Sequence, residues 1–253
     1  MSKVVSVHSY RGGTGKSNTT ANLATMIARR GYRVGIVDTD IQSPGIHVLF
    51  GFGEDDLERL LNDYLWGRRS ISDVAYDVTS VLEGKGGDRS KVYLVPSSVK
   101  AGEIARVLRE GYDVGLLNEG FRELIETLKL DYLFIDTHPG LNEETLLSIT
   151  ISDVLVLILR PDQQDYQGTA VTVDVARKLE VPKLLIVVNK APQVLDFNQL
   201  KQRIEETYDA PVAGVLPHSD DMMVLASTGI FTIKYPNNPL TGVVEAIAHQ
   251  VMA

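Results

Sequence analysis

Short runs of β-branched and aliphatic residues recur along the chain, separated by longer stretches whose apolar positions repeat at helical spacing. The runs at 3–8, 33–38, 92–95, 132–136, 154–159, 183–189 and 212–216 predict strands. Several are apolar at successive positions, Val154-Leu155-Val156-Leu157-Ile158-Leu159 above all. That is the pattern of a strand covered by helices on both faces. The stretches 16–30, 54–65, 117–129, 165–180, 198–208, 219–227 and 239–252 predict helices. Strand alternating with helix throughout predicts an α/β fold, a doubly wound, mostly parallel sheet with helices on both faces. No internal repeat or Pro/Ser-rich linker breaks the pattern, and the glycine-rich 83–90 reads as a surface loop. Residues 1–253 are therefore expected to form one domain.

Sheets of this kind bind ligands beyond the carboxyl ends of their strands, and there the chain is richest in chemistry. After the first strand comes Tyr10-Arg11-Gly12-Gly13-Thr14-Gly15-Lys16-Ser17, then a helical run. It follows the phosphate-loop pattern G-x-x-x-x-G-K-[ST] except that Tyr10 stands at the first glycine. The glycines let consecutive N–H groups turn inward as an anion nest at a helix N-terminus. Lys16 can then reach the β- and γ-phosphates, and the Ser17 hydroxyl can ligate Mg²⁺. Asp38 and Asp40 end the second strand two residues apart, so both can face one side, although each also suits a turn or a helix cap. Asp136 closes the apolar run Leu133-Phe134-Ile135, where a carboxylate without a partner would be costly. Asn189, after 184–188, is placed either to read a purine edge or to make a turn, and Pro217 and His218 can wall the same pocket. Arg160-Pro161-Asp162-Gln163-Gln164-Asp165 reads as a loop before a helix, with Asp165 a candidate N-cap. The five histidines show no metal-ligand spacing, and His138 is expected to act by position.

Three ordered motifs together resemble the MinD/ParA family of ATPases with a deviant Walker A loop. Arg11-Gly12-Gly13-Thr14-Gly15-Lys16-Ser17 is similar to the family's KGGxGK[ST] loop. Val37-Asp38-Thr39-Asp40 resembles its first switch, and Phe134-Ile135-Asp136-Thr137-His138-Pro139-Gly140 its Walker B strand and second switch. The resemblance extends to Val187-Val188-Asn189-Lys190 and Gly214-Val215-Leu216-Pro217. It implies a P-loop NTPase fold, ATP and Mg²⁺ as ligands, and an ATP-dependent homodimer that hydrolyses ATP. By the same resemblance Asp40 orients the attacking water, Asp38, Asp136 and Ser17 hold the metal shell, and Arg11 stands where a signature lysine crosses the dimer. Arginine keeps that charge with a different, forked geometry. The resemblance also implies a place for 160–165 near the dimer interface or the adenine, with Arg160 a second candidate for the cation acting across the dimer. The missing lysine resembles the McdA-like, carboxysome-positioning branch. Asn18 departs from the hydroxyl usual near the α-phosphate.

Composition narrows the field. The chain has no cysteine, which excludes thiolate metal sites and thiol nucleophiles and sets aside relatives that assemble iron–sulfur clusters. Its net charge of −8 rules out nucleic-acid binding by bulk charge. Local basic groups, Lys100, Arg106 and Arg109, then Arg177, Lys178, Lys183, Lys201 and Arg203, leave room for nonspecific DNA binding. The segment 241–253 carries one acid and no Lys or Arg, unlike a membrane-targeting helix. The N-terminal pattern is that of a strand, without the apolar block of a signal peptide. The expectation is a cytoplasmic, nucleoid-associated ATPase that positions a cargo and is stimulated by an adaptor protein. The competing expectations are a nucleotide-binding scaffold with little or no ATPase activity, or, by the resemblance, a MinD-like cell-division or localisation ATPase.

Overall fold

The computed structural model describes residues 2–253. Its strands are β1 (Lys3–His8), β2 (Arg33–Asp38), β3 (Tyr76–Asp77), β4 (Lys91–Val95), β5 (Tyr132–Asp136), β6 (Val154–Leu159), β7 (Leu184–Ala191) and β8 (Val212–Pro217). They form one sheet in the order β3-β4-β2-β5-β1-β6-β7-β8. Every neighbouring pair is parallel except β3–β4. The helices are α1 (Lys16–Ala28), α2 (Ile46–Leu49), α3 (Leu61–Leu65), α4 (Ala101–Glu110), α5 (Gly115–Leu128), α6 (Glu143–Thr150), α7 (Gln163–Lys178), α8 (Phe197–Tyr208), α9 (Asp220–Leu225), α10 (Phe231–Lys234) and α11 (Pro239–Met252).

Side chains alternate across the sheet and so divide the core in two. Val154, Val156 and Ile158 of β6 face a layer built from α1, α10 and α11. Leu157 and Leu159 face α7 and α8, and Leu155 meets α6 and α7. On the other half of the sheet Val37, Leu133 and Ile135 pack against α3 and α5. All six residues of β6 are buried, as a strand with helices on both sides requires.

Helix α1 lies deepest, with eleven of its thirteen residues buried. It tolerates threonine and asparagine there because their polar atoms are bonded within the helix or to a neighbour. The Thr20 and Thr25 hydroxyls donate to Lys16 O and Ala21 O at 2.9 and 2.8 Å, while Asn22 Oδ1 accepts Thr232 N at 2.8 Å. Helix α11 buries Leu240, Val244, Ile247, Ala248 and Val251 in the same layer.

The expected helix over 54–65 is corrected. A 3₁₀ turn at Glu54–Asp56 is followed by extended chain, and α3 begins only at Leu61. Leu57, Leu60 and Leu61 are all buried, and Leu61 N donates to Pro96 O at 2.8 Å. A continuous helix could not make that contact with the end of β4. The sequence pattern also missed β3, α2, α4, α6 and α10, which are short or only partly buried. Among the described residues no helix is long and apolar enough to cross a membrane.

Candidate nucleotide site

Strand β1 runs beside β5 and β6 at the centre of the sheet, so residues 9–15 leave it at the point where successive connections turn to opposite sides. Gly13 and Gly15 hold φ of +74° and +97°, a region that a side chain would strain. A Cβ at Gly15 would also collide with Asn189 Nδ2. Helix α1 starts without a side-chain cap, and Thr19 is the first of its amides to be engaged, by Gly15 O at 3.0 Å. The N–H groups of 16–18 therefore point into the loop without a protein acceptor. Gly12, Gly13, Thr14 and Gly15 curl around that opening, with Lys16 buried beside it.

Tyr10 explains how the motif survives without its first glycine. Its φ is not positive, so the position needs space rather than glycine's freedom. Gly168 on α7 provides the space: a Cβ there would lie on the Tyr10 ring and 2.8 Å from Tyr10 Cβ. The two departures at the front of the loop both lean on α7. Arg11 Nη1 lies 3.4 Å from both Asp162 Oδ1 and Asp165 Oδ1. Arg160 completes a quartet, its Nε 3.1 Å from Asp165 Oδ2 and its Nη2 3.3 Å from Asp162 Oδ2. The N-cap of α7 is Asp162, which accepts from the amides of Gln164 and Asp165. This corrects the expectation for Asp165, which is instead a buried counter-ion.

Three carboxylates converge at the strand ends. Asp38 and Asp136 are directly opposed in the β2–β5 register and fully buried. Burial and the neighbouring Asp136 and Asp40 charges hold the Asp38 carboxyl well above its ordinary range. Its Oδ1 accepts Asp40 N at 3.0 Å and its Oδ2 accepts Gly45 N at 3.3 Å, so it shapes the 39–45 turn. Burial pushes Asp136 up to about 6, against the Ser17 hydroxyl and the Lys16 ammonium, which pull it down. Its Oδ1 accepts from the Thr20 hydroxyl at 3.3 Å, whereas its Oδ2 is buried with no hydrogen-bond partner. Asp40 Oδ1 accepts from Ser43 Oγ at 2.9 Å and lies 2.7 Å from His138 Nδ1. That contact ties the turn after β2 to the turn after β5.

A cavity of about 410 Å³ opens beside the loop, lined among others by Asn18, Asn22, Asn189, Pro217, His218 and Met222. Its volume falls in the range that holds small ligands. Asn189 sits at the wall with Nδ2 donating to Thr14 O at 2.8 Å and Oδ1 accepting Lys190 N at 2.8 Å. Lys190 adds a second tie from its Nζ to Gly13 O at 2.8 Å.

Sequence reasoning passed over His8, and it named Tyr10, Thr137, Asp162 and Lys190 within their motifs without giving any of them a supporting contact. The Thr137 hydroxyl donates to Val7 O at 3.0 Å and therefore accepts from His8 Nδ1 at 2.7 Å. That assignment leaves His8 Nε2 bare and buried. Burial, then Lys16 and His138, lower the His8 pKa to about 3. A histidine directly before a phosphate loop was the available signal. Of the basic residues noted above, Arg106 lies 2.9 Å from Glu110 and Lys201 3.9 Å from Glu205. Arg177 and Lys183 donate to backbone carbonyls.

A central β1, an amide nest at an uncapped buried helix, and an unpartnered strand-end carboxylate together define a P-loop nucleotide-binding protein. The chain belongs to the ParA family, whose description is "NUBPL iron-transfer P-loop NTPase" and which matches residues 1–252. It is 26% identical to an uncharacterised ATP-binding protein of Methanocaldococcus jannaschii, over all of this chain and 88% of that one. It is also 26% identical to an iron–sulfur cluster carrier protein of Clostridium perfringens, covering 94% and 83%. The cell division ATPase MinD of Pyrococcus furiosus superposes with a TM-score of 0.81 at 22% identity, covering 100% and 99%. MinD of Pyrococcus horikoshii, complexed with Mg-ADP, gives 0.79 at 22% identity, covering 99% and 96%. These structural likenesses establish the fold. The iron–sulfur branch set aside for want of cysteine is thus among the similar sequences.

Proposed function

We propose that this chain is a Mg²⁺-dependent ATPase working as a dimerisation switch, with residues 1–253 acting as one ATPase unit. The observation that carries the reading is Asp136 Oδ2, buried and without a partner, beside Ser17 and Lys16 at the mouth of the amide nest. A burial that raises the pKa of a carboxylate is relieved by a nearby cation, and this one faces the site where a nucleotide's phosphates would lie. Gly12, Gly13, Thr14 and Gly15, with the amides of Lys16, Ser17 and Asn18, bind phosphate. Lys16 neutralises the β- and γ-oxygens, and Asn189, Pro217 and His218 enclose the base.

Ser17, Asp38 and Asp136 would hold Mg²⁺, and when bound the ion would neutralise phosphate charge during hydrolysis. Asp40, held by His138 and Ser43, orients the attacking water. Arg11 acts across the dimer once it leaves Asp162 and Asp165. A cation supplied in this way can be worth about 10³ or more in rate, which suits slow basal turnover and stimulation by an adaptor protein.

Relatives named as iron–sulfur cluster carriers suggest a cluster as cargo. Clusters are held chiefly by thiolates, and these 253 residues contain no cysteine. We therefore favour positioning of another cargo, through nonspecific DNA in the ATP-bound dimer and release on hydrolysis. Arg109, Lys178 and Arg203 are exposed and, among the described residues, free of ion pairs. Doubled in a dimer, six such cations give a log–log salt slope of about −5. Calorimetry with Mg-ATP, repeated on Lys16→Ala, tests the nucleotide reading: the variant should show no binding heat. ATPase assays with and without DNA test the rest. Normal ATP affinity with no turnover under either condition would instead identify a scaffold.

A further inference from the structure

Two arginines share two carboxylates at the start of α7, and their holds are unequal. Arg160 spreads its guanidinium over both acids, Nε 3.1 Å from Asp165 Oδ2 and Nη2 3.3 Å from Asp162 Oδ2. Its backbone N also donates to Asp165 Oδ2, at 2.9 Å. Arg11 reaches the pair with one nitrogen, Nη1, 3.4 Å from Asp162 Oδ1 and from Asp165 Oδ1. Charge-assisted bonds are usually about 2.7–2.9 Å, so this is a loose hold. Among the described residues Nε and Nη2 of Arg11 have no partner.

The two acids differ as well. The Asp162 side chain is 43% exposed, and its Oδ1 already accepts the amides of Gln164 and Asp165. The Asp165 side chain is only 3% exposed, and a buried carboxylate is costly once its cation is removed. With Arg160 in place, Arg11 can depart and leave both acids paired; only Asp165 Oδ1 loses a contact. Without the Arg160 side chain, the same departure would strand the buried charge. The Arg11 carbonyl is fixed by Ser9 Oγ at 2.6 Å, so the movement belongs to the side chain.

We propose that Arg160 is a positioning residue that frees Arg11. As resident counter-ion of Asp162 and Asp165, it lets the loop arginine exchange these acids for the nucleotide of a second copy of the chain. This rests on the reading of the protein as an ATP-dependent dimer. Within that reading it makes Arg11 the cation that crosses and Arg160 the one that stays. The cost of release enters the apparent dimer affinity, since only monomers with Arg11 released can pair productively.

The test is the protein concentration at which the full chain dimerises with Mg²⁺ and a nonhydrolysable ATP analogue, read by light scattering. Arg160→Ala should raise that concentration at least tenfold. Arg160→Gln keeps donors without the charge and should act alike; it replaces the alanine variant if circular dichroism shows the latter unfolded. Adding Asp165→Asn to either variant should restore the parent's value, because the buried charge that retains Arg11 is gone. Were Arg160 itself the crossing cation, dimerisation would weaken in the same way but Asp165→Asn could not restore it. The proposal is overturned by that failure to recover. It is equally overturned if both Arg160 variants dimerise like the parent, as a purely structural ion pair would allow. A parent that forms no dimer with nucleotide would refute the underlying dimer reading, and the proposal with it.

Discussion

Gly168→Ala probes the fit that lets a tyrosine begin the phosphate loop. In a helix interior Ala is favoured over Gly by about 1 kcal/mol, so on propensity alone the change should stabilise the protein. The added Cβ, however, would overlap the Tyr10 ring and lie 2.8 Å from Tyr10 Cβ. Rotating the ring cannot relieve a contact at Cβ, so the backbone of residue 10 has to move. Overpacking of this kind costs about 1–3 kcal/mol, leaving a net loss of up to about 2 kcal/mol. In a Tyr10→Gly background the obstacle is gone, and the same substitution should stabilise by about 1 kcal/mol. Urea denaturation of the four proteins without nucleotide measures a coupling of about 1–3 kcal/mol between the sites. Because residue 10 opens the loop, Gly168→Ala should also weaken Mg-ATP binding in the parent and leave it intact in the Tyr10→Gly background. Equal stabilisation in both backgrounds would show that Tyr10 does not rest on Gly168 and would refute the account of the altered motif.

Other outcomes follow from the same site. Asp165→Ala removes the buried partner of Arg11 and Arg160; because both arginines are partly exposed, the loss should be about 2–3 kcal/mol in urea unfolding. By releasing Arg11 it should also lower the protein concentration at which ATP-bound dimers form, read by light scattering. Asp40→Ala should bind Mg-ATP, turn over at least tenfold more slowly, and accumulate as dimer; a monomer in saturating ATP would remove Asp40 from its proposed role. His8, lowered to about 3 in the folded chain, contributes stability that is present above about 6.5 and lost as pH falls from there toward about 3. Its ring resonances should not titrate between pH 8 and pH 5, and His8→Gln should remove its share of the acid-side loss of stability.

The sheet was readable because seven of its eight strands are short β-branched and aliphatic runs, several of them apolar on both faces. Strand β3 has only Tyr76 and Asp77, too short for any period to show. The stretch 54–65 misled because Leu57, Leu60 and Leu61 have helical spacing, while the amide of Leu61 is committed to a tertiary partner, Pro96 O, instead of the helical acceptor at Leu57. At the nucleotide site the motif residues were legible because glycine, lysine and strand-end aspartate are dictated by local geometry. The contacts that support them come from distant parts of the chain. Gly168 sits opposite Tyr10, Asp162 and Asp165 opposite Arg11, and Thr137 opposite His8, none of them marked by sequence spacing. Asp162 rather than Asp165 became the cap because Asp165 is drawn inward by Arg160 and Arg11.

Helix α1 is enclosed by the sheet and α11, with eleven of thirteen residues buried. It is the stator of this device: the loop it anchors cannot slide without opening the core. Whatever distinguishes one nucleotide state from another must then be expressed in 39–45 and 137–142, which hang from the strand ends by a few hydrogen bonds. Hydrogen exchange should accordingly leave the amides of α1 slow in every state, while those two segments carry the change.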